Sequence, residues 1–201
     1  MLTFFQETTY NAFQKILNFF VKENSTVLDI TYGRGLSWKY LNKNYKIIKV
    51  DKRRLFKDVI QSDLKDYLRN KKNSSVDCVY FDPPYYFKDK IKNYNIKNQM
   101  LNVEDEVFLT EKEFELMLCC LKENIPRILK NKGIFIAKLM NGCVGKIYYP
   151  NAFNLFNVIE KVMKPKGVFI CPIKRGDNLN FVRENHIYYL VFQNGGDVNE
   201  L

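Results

Sequence analysis

The sequence predicts an α/β domain built on a mostly parallel, seven-stranded sheet, with helices on both faces and an antiparallel last strand. Three observations predict it. Apolar segments of strand length alternate with segments of helical periodicity, the pattern of parallel strands joined by crossover helices. Predicted strands end on acids or on a glycine turn, at Asp29, Asp51 and Asp82. No helix fits between the last two strands, and so short a connection joins antiparallel neighbours. At 201 residues the chain makes one domain, residues 1–201, since a core of this size already buries roughly 70% of the surface of the unfolded chain.

The elements follow in order. Within an N-terminal helical region, residues 1–25, Phe13, Ile16, Leu17, Phe20 and Val21 stand at helical spacing, with Thr8 or Thr9 as cap. Residues 27–30 form a buried strand that runs into the turn Gly33-Arg34-Gly35, and a short helix through Trp38 and Leu41 follows. Further strands are predicted at 46–50, 58–60 and 76–81. A polar stretch, 88–110, precedes a helix carrying Phe114, Met117, Leu118, Leu121, Ile125, Ile128 and Leu129, kinked near Pro126 and stopped at Gly133. A strand at 134–139, a helix at 152–163 ended by Lys164-Pro165-Lys166-Gly167, and strands at 168–171 and 187–192 complete the domain, leaving 194–201 as a frayed tail.

Composition limits the function classes. Hydrophobic residues make up 46% of the chain, yet no uninterrupted apolar run approaches the 18 or more residues of a membrane span, so no membrane partner is expected. The N-terminus has no basic region followed by an apolar stretch, which predicts a cytoplasmic protein of a prokaryotic cell or of a virus-infected host. The five cysteines are odd in number and lack Cys-x-x-Cys spacing, which predicts reduced, mostly buried thiols and no metal. A formal net charge of +10 favours a polyanionic partner, nucleic acid first, although abundant Lys, Asn, Ile, Phe and Tyr also follow from an AT-rich genome.

The first chemical motif is Asp29-Ile30-Thr31-Tyr32-Gly33-Arg34-Gly35. Glycine in a strand-to-helix turn lets the backbone approach a ligand. The turn lacks the third glycine of the dinucleotide pattern and the Gly-Lys-Ser/Thr of a triphosphate loop. Asp51 at the next strand end can accept two ribose hydroxyl protons, and Asp63 after the third strand is placed to meet an adenine amino group; each acid alone is also an ordinary helix cap or surface residue.

The second motif is Asp82-Pro83-Pro84-Tyr85, followed by Tyr86. Two prolines remove two backbone donors and stiffen the turn, leaving the Asp82 carboxylate and the Pro83 carbonyl as fixed acceptors. The amino group of a nucleobase is a weak nucleophile because its lone pair is delocalised into the ring. Two acceptors for its hydrogens favour a pyramidal nitrogen aimed at an electrophile, so positioning and electrostatics carry such a reaction. Tyr85 offers a face to a base flipped out of its helix.

These motifs, with Ile136-Ala137-Lys138 and the segment Asn185-His186-Ile187-Tyr188-Tyr189-Leu190-Val191-Phe192, resemble the Rossmann-like class I methyltransferases of the Asp-Pro-Pro-Tyr type, most closely prokaryotic and phage DNA adenine-N6 methyltransferases. The resemblance spans residues 27–192. It implies S-adenosylmethionine as cofactor, bound by Asp29, Thr31, Tyr32, Gly33, Gly35, Asp51 and Asp63. It implies Asp82, Pro83, Pro84 and Tyr85 as the catalytic motif, and Tyr86, Lys138, Lys174, Arg175 and Arg183 as nucleic-acid contacts. Many relatives have Phe where Thr31 stands.

The same motif occurs in enzymes that methylate adenine or guanine amino groups of ribosomal RNA, so RNA is the alternative acceptor, and a non-catalytic nucleic-acid-binding subunit is a second alternative. No separate recognition domain is visible. Residues 88–110 and 174–183 are the stretches long enough to reach flanking nucleotides, which implies a short target, little sequence specificity, or help from a homodimer or recognition partner. Lys174, Arg175 and Arg183 bind phosphates or line a solvated loop. Cys171-Pro172 is in the wrong order for a cytosine-ring nucleophile, and His186 orders the loop before the last strand.

Overall fold

Apolar side chains three and four residues apart give the first helix, α1 (Thr9–Phe20), a single buried stripe of Ala12, Phe13, Ile16 and Leu17. Thr8 caps it by accepting the Asn11 N–H, and the backbone leaves the helix at Val21. The computed structural model describes residues 2–5, 8–84, 110–144, 147–172 and 186–195. The elements around α1 are β1 (Leu2–Phe4), β2 (Thr26–Asp29), a single 3-10 turn (Leu36–Trp38), β3 (Lys46–Asp51), β4 (Ile60–Gln61), α2 (Leu64–Asn70) and β5 (Val76–Phe81). Then come α3 (Glu111–Ile128), β6 (Leu129–Leu139), β7 (Gly142–Val144), β8 (Ile147–Tyr149), α4 (Asn151–Ile159), β9 (Lys164–Pro172) and β10 (His186–Gln193).

The main sheet has eight strands, in the order β1-β9-β10-β6-β5-β2-β3-β4. It exceeds the predicted seven by β1, three residues that exist as a strand because they pair in parallel with Val168, Phe169 and Ile170 of β9. As expected, β10 runs antiparallel to both β6 and β9. A small β7-β8 hairpin stands apart from the main sheet. From β2 the chain moves one way to β3 and β4 and the other way to β5 and β6, so the strand order reverses between β2 and β5.

Successive side chains of a strand face opposite sides, and each strand feeds two cores. Val27, Cys78, Tyr80, Ile136 and Tyr189 pack with Phe13, Ile16 and Leu17 of α1. Their neighbours Leu28, Val79, Phe81, Ala137 and Leu190 pack with Phe114, Leu121 and Ile125 of α3 and Leu155 of α4. Helices therefore cover both faces, as predicted. No described helix is long and apolar enough to cross a membrane.

Several boundaries differ from the sequence reading. Leu129, assigned to the helix by its spacing from Ile125, is the first residue of β6, where it pairs with Val76. Gly133, read as the helix stop, lies at the irregularity where the register jumps from Val76↔Leu129 to Cys78↔Ile134. The Lys164-Pro165-Lys166-Gly167 segment, read as a helix end, opens β9. Cys78, Cys120 and Cys171 are buried thiols and Cys119 is exposed. The predicted target-contacting insertion falls almost wholly outside the described residues, as does most of the tail.

Candidate active site

In open α/β sheets ligands bind beyond the carboxyl ends of the strands, where the strand order reverses. Strand alternation puts Asp29 after Val27 on β2, Asp51 beyond Ile47 on β3, Asp82 after Tyr80 of β5, and Lys138 after Ile136 on β6 all on the α1 face at that edge. Sequence alone placed the acids at strand ends; the sheet gathers them.

The glycine turn is held from inside. Asp29 is 1% exposed. Its Oδ1 accepts the Thr31 N–H at 2.9 Å and its Oδ2 accepts Trp38 Nε1–H at 2.6 Å. Burial pushes its carboxyl up to about 7, against which the Trp38 and Thr31 hydrogen bonds work; the neighbouring charges of Asp82 and Asp51 push it further up. Asp51 ties the turn to β3: Oδ2 accepts the Gly33 N–H at 2.7 Å and Oδ1 accepts the Arg53 N–H at 2.8 Å. A carboxylate has about four acceptor sites, so these two bonds leave Asp51 capacity for hydroxyl donors.

Gly33 and Gly35 both have positive φ, 51° and 66°. A Cβ on Gly33 would meet only the Thr31 carbonyl oxygen at 3.9 Å, whereas one on Gly35 would lie 2.5 Å from the Tyr32 hydroxyl oxygen. Gly33 thus borders open space beside Asp51, and Gly35 makes room for a ring. That ring also meets Phe56 edge-on and lies under Lys49.

The two motifs meet at Asp82. Its N–H donates to Thr31 Oγ1 at 2.7 Å. Its Oδ2 accepts from Lys138 Nζ at 2.7 Å and from the Tyr80 hydroxyl at 3.3 Å, and Tyr80 Oη lies 3.0 Å from Ser37 Oγ. Pro83 is buried and Pro84 half-buried behind it.

Four of the expected site residues have protein partners. Asp29 is enclosed and braces the turn through both oxygens. Tyr32 is turned onto Gly35, Lys49 and Phe56, and supports the turn from behind. Asp63 caps α2, accepting the Lys65 N–H at 2.8 Å, a helix the sequence reading did not contain. Lys138, expected to contact nucleic acid, is ion-paired with Asp82, with 12% of its side chain exposed. Thr31 is joined to Asp82 and Gly33 to Asp51 by hydrogen bonds, with Pro83 and Pro84 directly after Asp82. Tyr85, Tyr86, Lys174, Arg175 and Arg183 lie outside the described residues. Trp38, Tyr80 and Ser37 belong to the network and were missed; the one signal was the chain's only tryptophan three residues after Gly35. Among the described residues no group of His, Cys, Asp and Glu could hold a metal ion.

Residues 22–138, more than half of the chain and including both motifs, match the family described as Conserved hypothetical protein 95. The chain belongs to that family. No curated protein matches this family member in sequence. Among solved structures it resembles the N-methyltransferase NodS from Bradyrhizobium japonicum WM9, at 10% identity and a TM-score of 0.59, over 96% of this chain and 100% of that one. It also resembles a protein from Clostridium thermocellum provisionally named an rRNA methylase, at 15% identity and a TM-score of 0.57, over 94% and 99% of the two chains. At these identities the likeness shows the fold, which is the Rossmann-like class I methyltransferase fold. A provisionally named DNA modification methylase from Thermus thermophilus, crystallised with S-adenosyl-L-methionine, matches at 14% identity and a TM-score of 0.47 over 66% of this chain. The family member spans about half the length of that protein.

Proposed function

We propose that the chain is an S-adenosylmethionine-dependent methyltransferase acting on the exocyclic amino group of a nucleic-acid base, adenine N6 in DNA first. The observation that carries this reading is the 2.7 Å hydrogen bond from the Asp82 N–H to Thr31 Oγ1. It fixes the amino-orienting acid against the glycine turn, within reach of anything bound there.

The residues present suit the cofactor. A Cβ would fill the space at Gly33, and Asp51 beside it retains acceptor capacity for a ribose. When bound, the cofactor supplies an electrophilic sulfonium methyl and its sulfur takes back the electron pair of the broken bond. Asp82 and the Pro83 carbonyl accept the two amino hydrogens and turn the nitrogen lone pair towards that methyl. The nitrogen gains the new N–C bond and sheds one proton to water. Such fixed acceptors are worth most in a water-poor site.

The +10 charge attracts the nucleic acid, with Tyr85 and Tyr86 as stacking faces and Lys174, Arg175 and Arg183 as phosphate contacts. Residues 88–110, a second copy or a recognition partner supply target contacts, and the protein works in the cytoplasm. The test is transfer of tritiated methyl to DNA, RNA and free nucleosides, with Asp82→Asn and Asp82→Ala alongside. DNA labelling at adenine is expected, with at least a hundredfold loss in both variants, since one isolated transition-state interaction is worth about 3 to 4 kcal/mol. Labelling of RNA alone moves the target. Cofactor binding without any transfer identifies a non-catalytic subunit, and near-parental turnover of Asp82→Asn refutes the role of Asp82.

A further inference from the structure

We infer that Lys138 is a positioning residue for Asp82: its ammonium holds Oδ2, so that this carboxylate serves as an oriented acceptor for the target amino group and not as the base that removes its proton. This rests on the function proposed above. It goes beyond it by giving Asp82 a partner that holds its carboxylate.

The placement follows from register. Phe81 pairs with Ala137 across β5 and β6, and Tyr189 with Lys138 across β6 and β10. The next residue on each of β5 and β6 points to the α1 face, so Asp82, Lys138 and Tyr189 form a row at the strand ends. In that row the ammonium meets the carboxylate at 2.7 Å, with the two side chains 12% and 20% exposed. A lysine side chain gives up considerable rotamer freedom to be held so, and at a solvated surface the reward for such a pair is small. Here the pair is sheltered, and the same oxygen also takes the Tyr80 hydroxyl at 3.3 Å.

Among the described residues, ionisable groups from four strands lie against Asp82. From β2 comes Asp29, a like charge whose own carboxyl is pushed up by burial first and by Asp82 among other causes. From β5 comes Tyr80. From β10 comes Tyr189, its phenol held well above its ordinary range by burial and then by Asp82. Lys138 from β6 is the cation. Around this carboxylate stand one acid and two phenols, and the Lys138 ammonium is the positive charge set against it. A protonated Asp82 would present a donor to an amino group that can only donate. With Oδ2 held by the Lys138 ammonium and the Tyr80 hydroxyl, the proton released after methyl transfer goes to water.

The experiment compares parent, Lys138→Ala and Lys138→Met in single-turnover methyl transfer to DNA and RNA from pH 5.5 to 9. S-adenosylhomocysteine affinity, nucleic-acid affinity and circular dichroism are read in parallel. Both variants are expected to lose tenfold or more in kcat at pH 6.5, with cofactor and nucleic-acid affinities within twofold of the parent. The acid limb of their turnover is expected at higher pH, and methylammonium added to Lys138→Ala should restore turnover. A purely structural lysine would move neither the limb nor respond to the small cation. Unchanged kcat with weakened nucleic-acid affinity would overturn the role and make Lys138 a phosphate contact. If Lys138→Ala loses its folded signal, Lys138→Met keeps the volume of the stem and reads the same limb. A parent that labels no nucleic acid overturns the proposed function and this role together; an active parent with parental pH profiles in both variants overturns the role of Lys138 alone.

Discussion

Adding a single methyl group at Gly33 or at Gly35 should have opposite consequences, although the two glycines sit two residues apart in one turn. Both have positive φ, 51° and 66°, which costs an L-residue roughly 1 to 2 kcal/mol. At Gly33 that is the whole stability cost, because the new Cβ meets nothing nearer than the Thr31 carbonyl oxygen at 3.9 Å. At Gly35 the Cβ would lie 2.5 Å from Tyr32 Oη and 2.6 Å from its Cζ, so the ring must leave Phe56 and Lys49. Overpacking of this kind costs about 1 to 3 kcal/mol more. Urea unfolding is therefore expected to show Gly33→Ala destabilised by about 1 to 2 kcal/mol and Gly35→Ala by about 2 to 5 kcal/mol. Calorimetry with S-adenosylhomocysteine should show the reverse order of damage: Gly33→Ala fills the cradle and loses at least tenfold in affinity. A double-mutant cycle with Tyr32→Ala isolates the clash, since without the ring Gly35→Ala should cost only its backbone share. Equal destabilisation by the two glycine variants, or no relief on removing the Tyr32 ring, would refute this account of the turn.

Three other outcomes are expected. Asp51→Ala removes the acceptor of the Gly33 and Arg53 N–H groups and of the proposed ribose hydroxyls; cofactor affinity should fall tenfold or more, a loss of about 1 to 3 kcal/mol, and parental affinity would refute the assignment. Asp29 ionises near 3.8 unfolded and about 7 folded, so between those values the unfolded chain releases a proton that the folded chain keeps. Its contribution to stability is fully present below pH 4 and is lost as pH rises to about 7, by a few kcal/mol; urea midpoints against pH should show this slope in the parent and not in Asp29→Asn. Nucleic-acid affinity should fall steeply with salt, as phosphate contacts release counterions, and Lys174→Ala with Arg175→Ala should flatten the slope; salt-independent binding would return the +10 charge to genomic composition.

Local chemistry was legible where it acts over one turn or one strand. The apolar spacing of Phe13, Ile16 and Leu17 and the oxygen of Thr8 suffice to define α1, because helix periodicity and capping are near-neighbour effects. The apolar run of the 76–81 strand and the rigidity of Asp82-Pro83-Pro84 are likewise written in adjacent residues, and the helix-free link before β10 predicted its antiparallel direction. Elements that depend on a distant partner were not legible. β1 has three residues and no pattern of its own, and becomes a strand through β9; Leu129 has helical spacing but is drawn into β6 by Val76.

The site divides along the same line. From the sequence alone came the residue types at the strand ends, because acids and glycines at those positions are set by the chain itself. What each of them faces was decided by tertiary structure, since one face of one strand end receives side chains from elements far apart in sequence. Thus Asp29 was drawn inward by Trp38 and Thr31, Tyr32 turned behind Gly35, and Lys138 joined Asp82 across the β5-β6 register. A lysine reads in sequence as a surface cation; only the pairing of two strands brings its ammonium to a carboxylate 56 residues away.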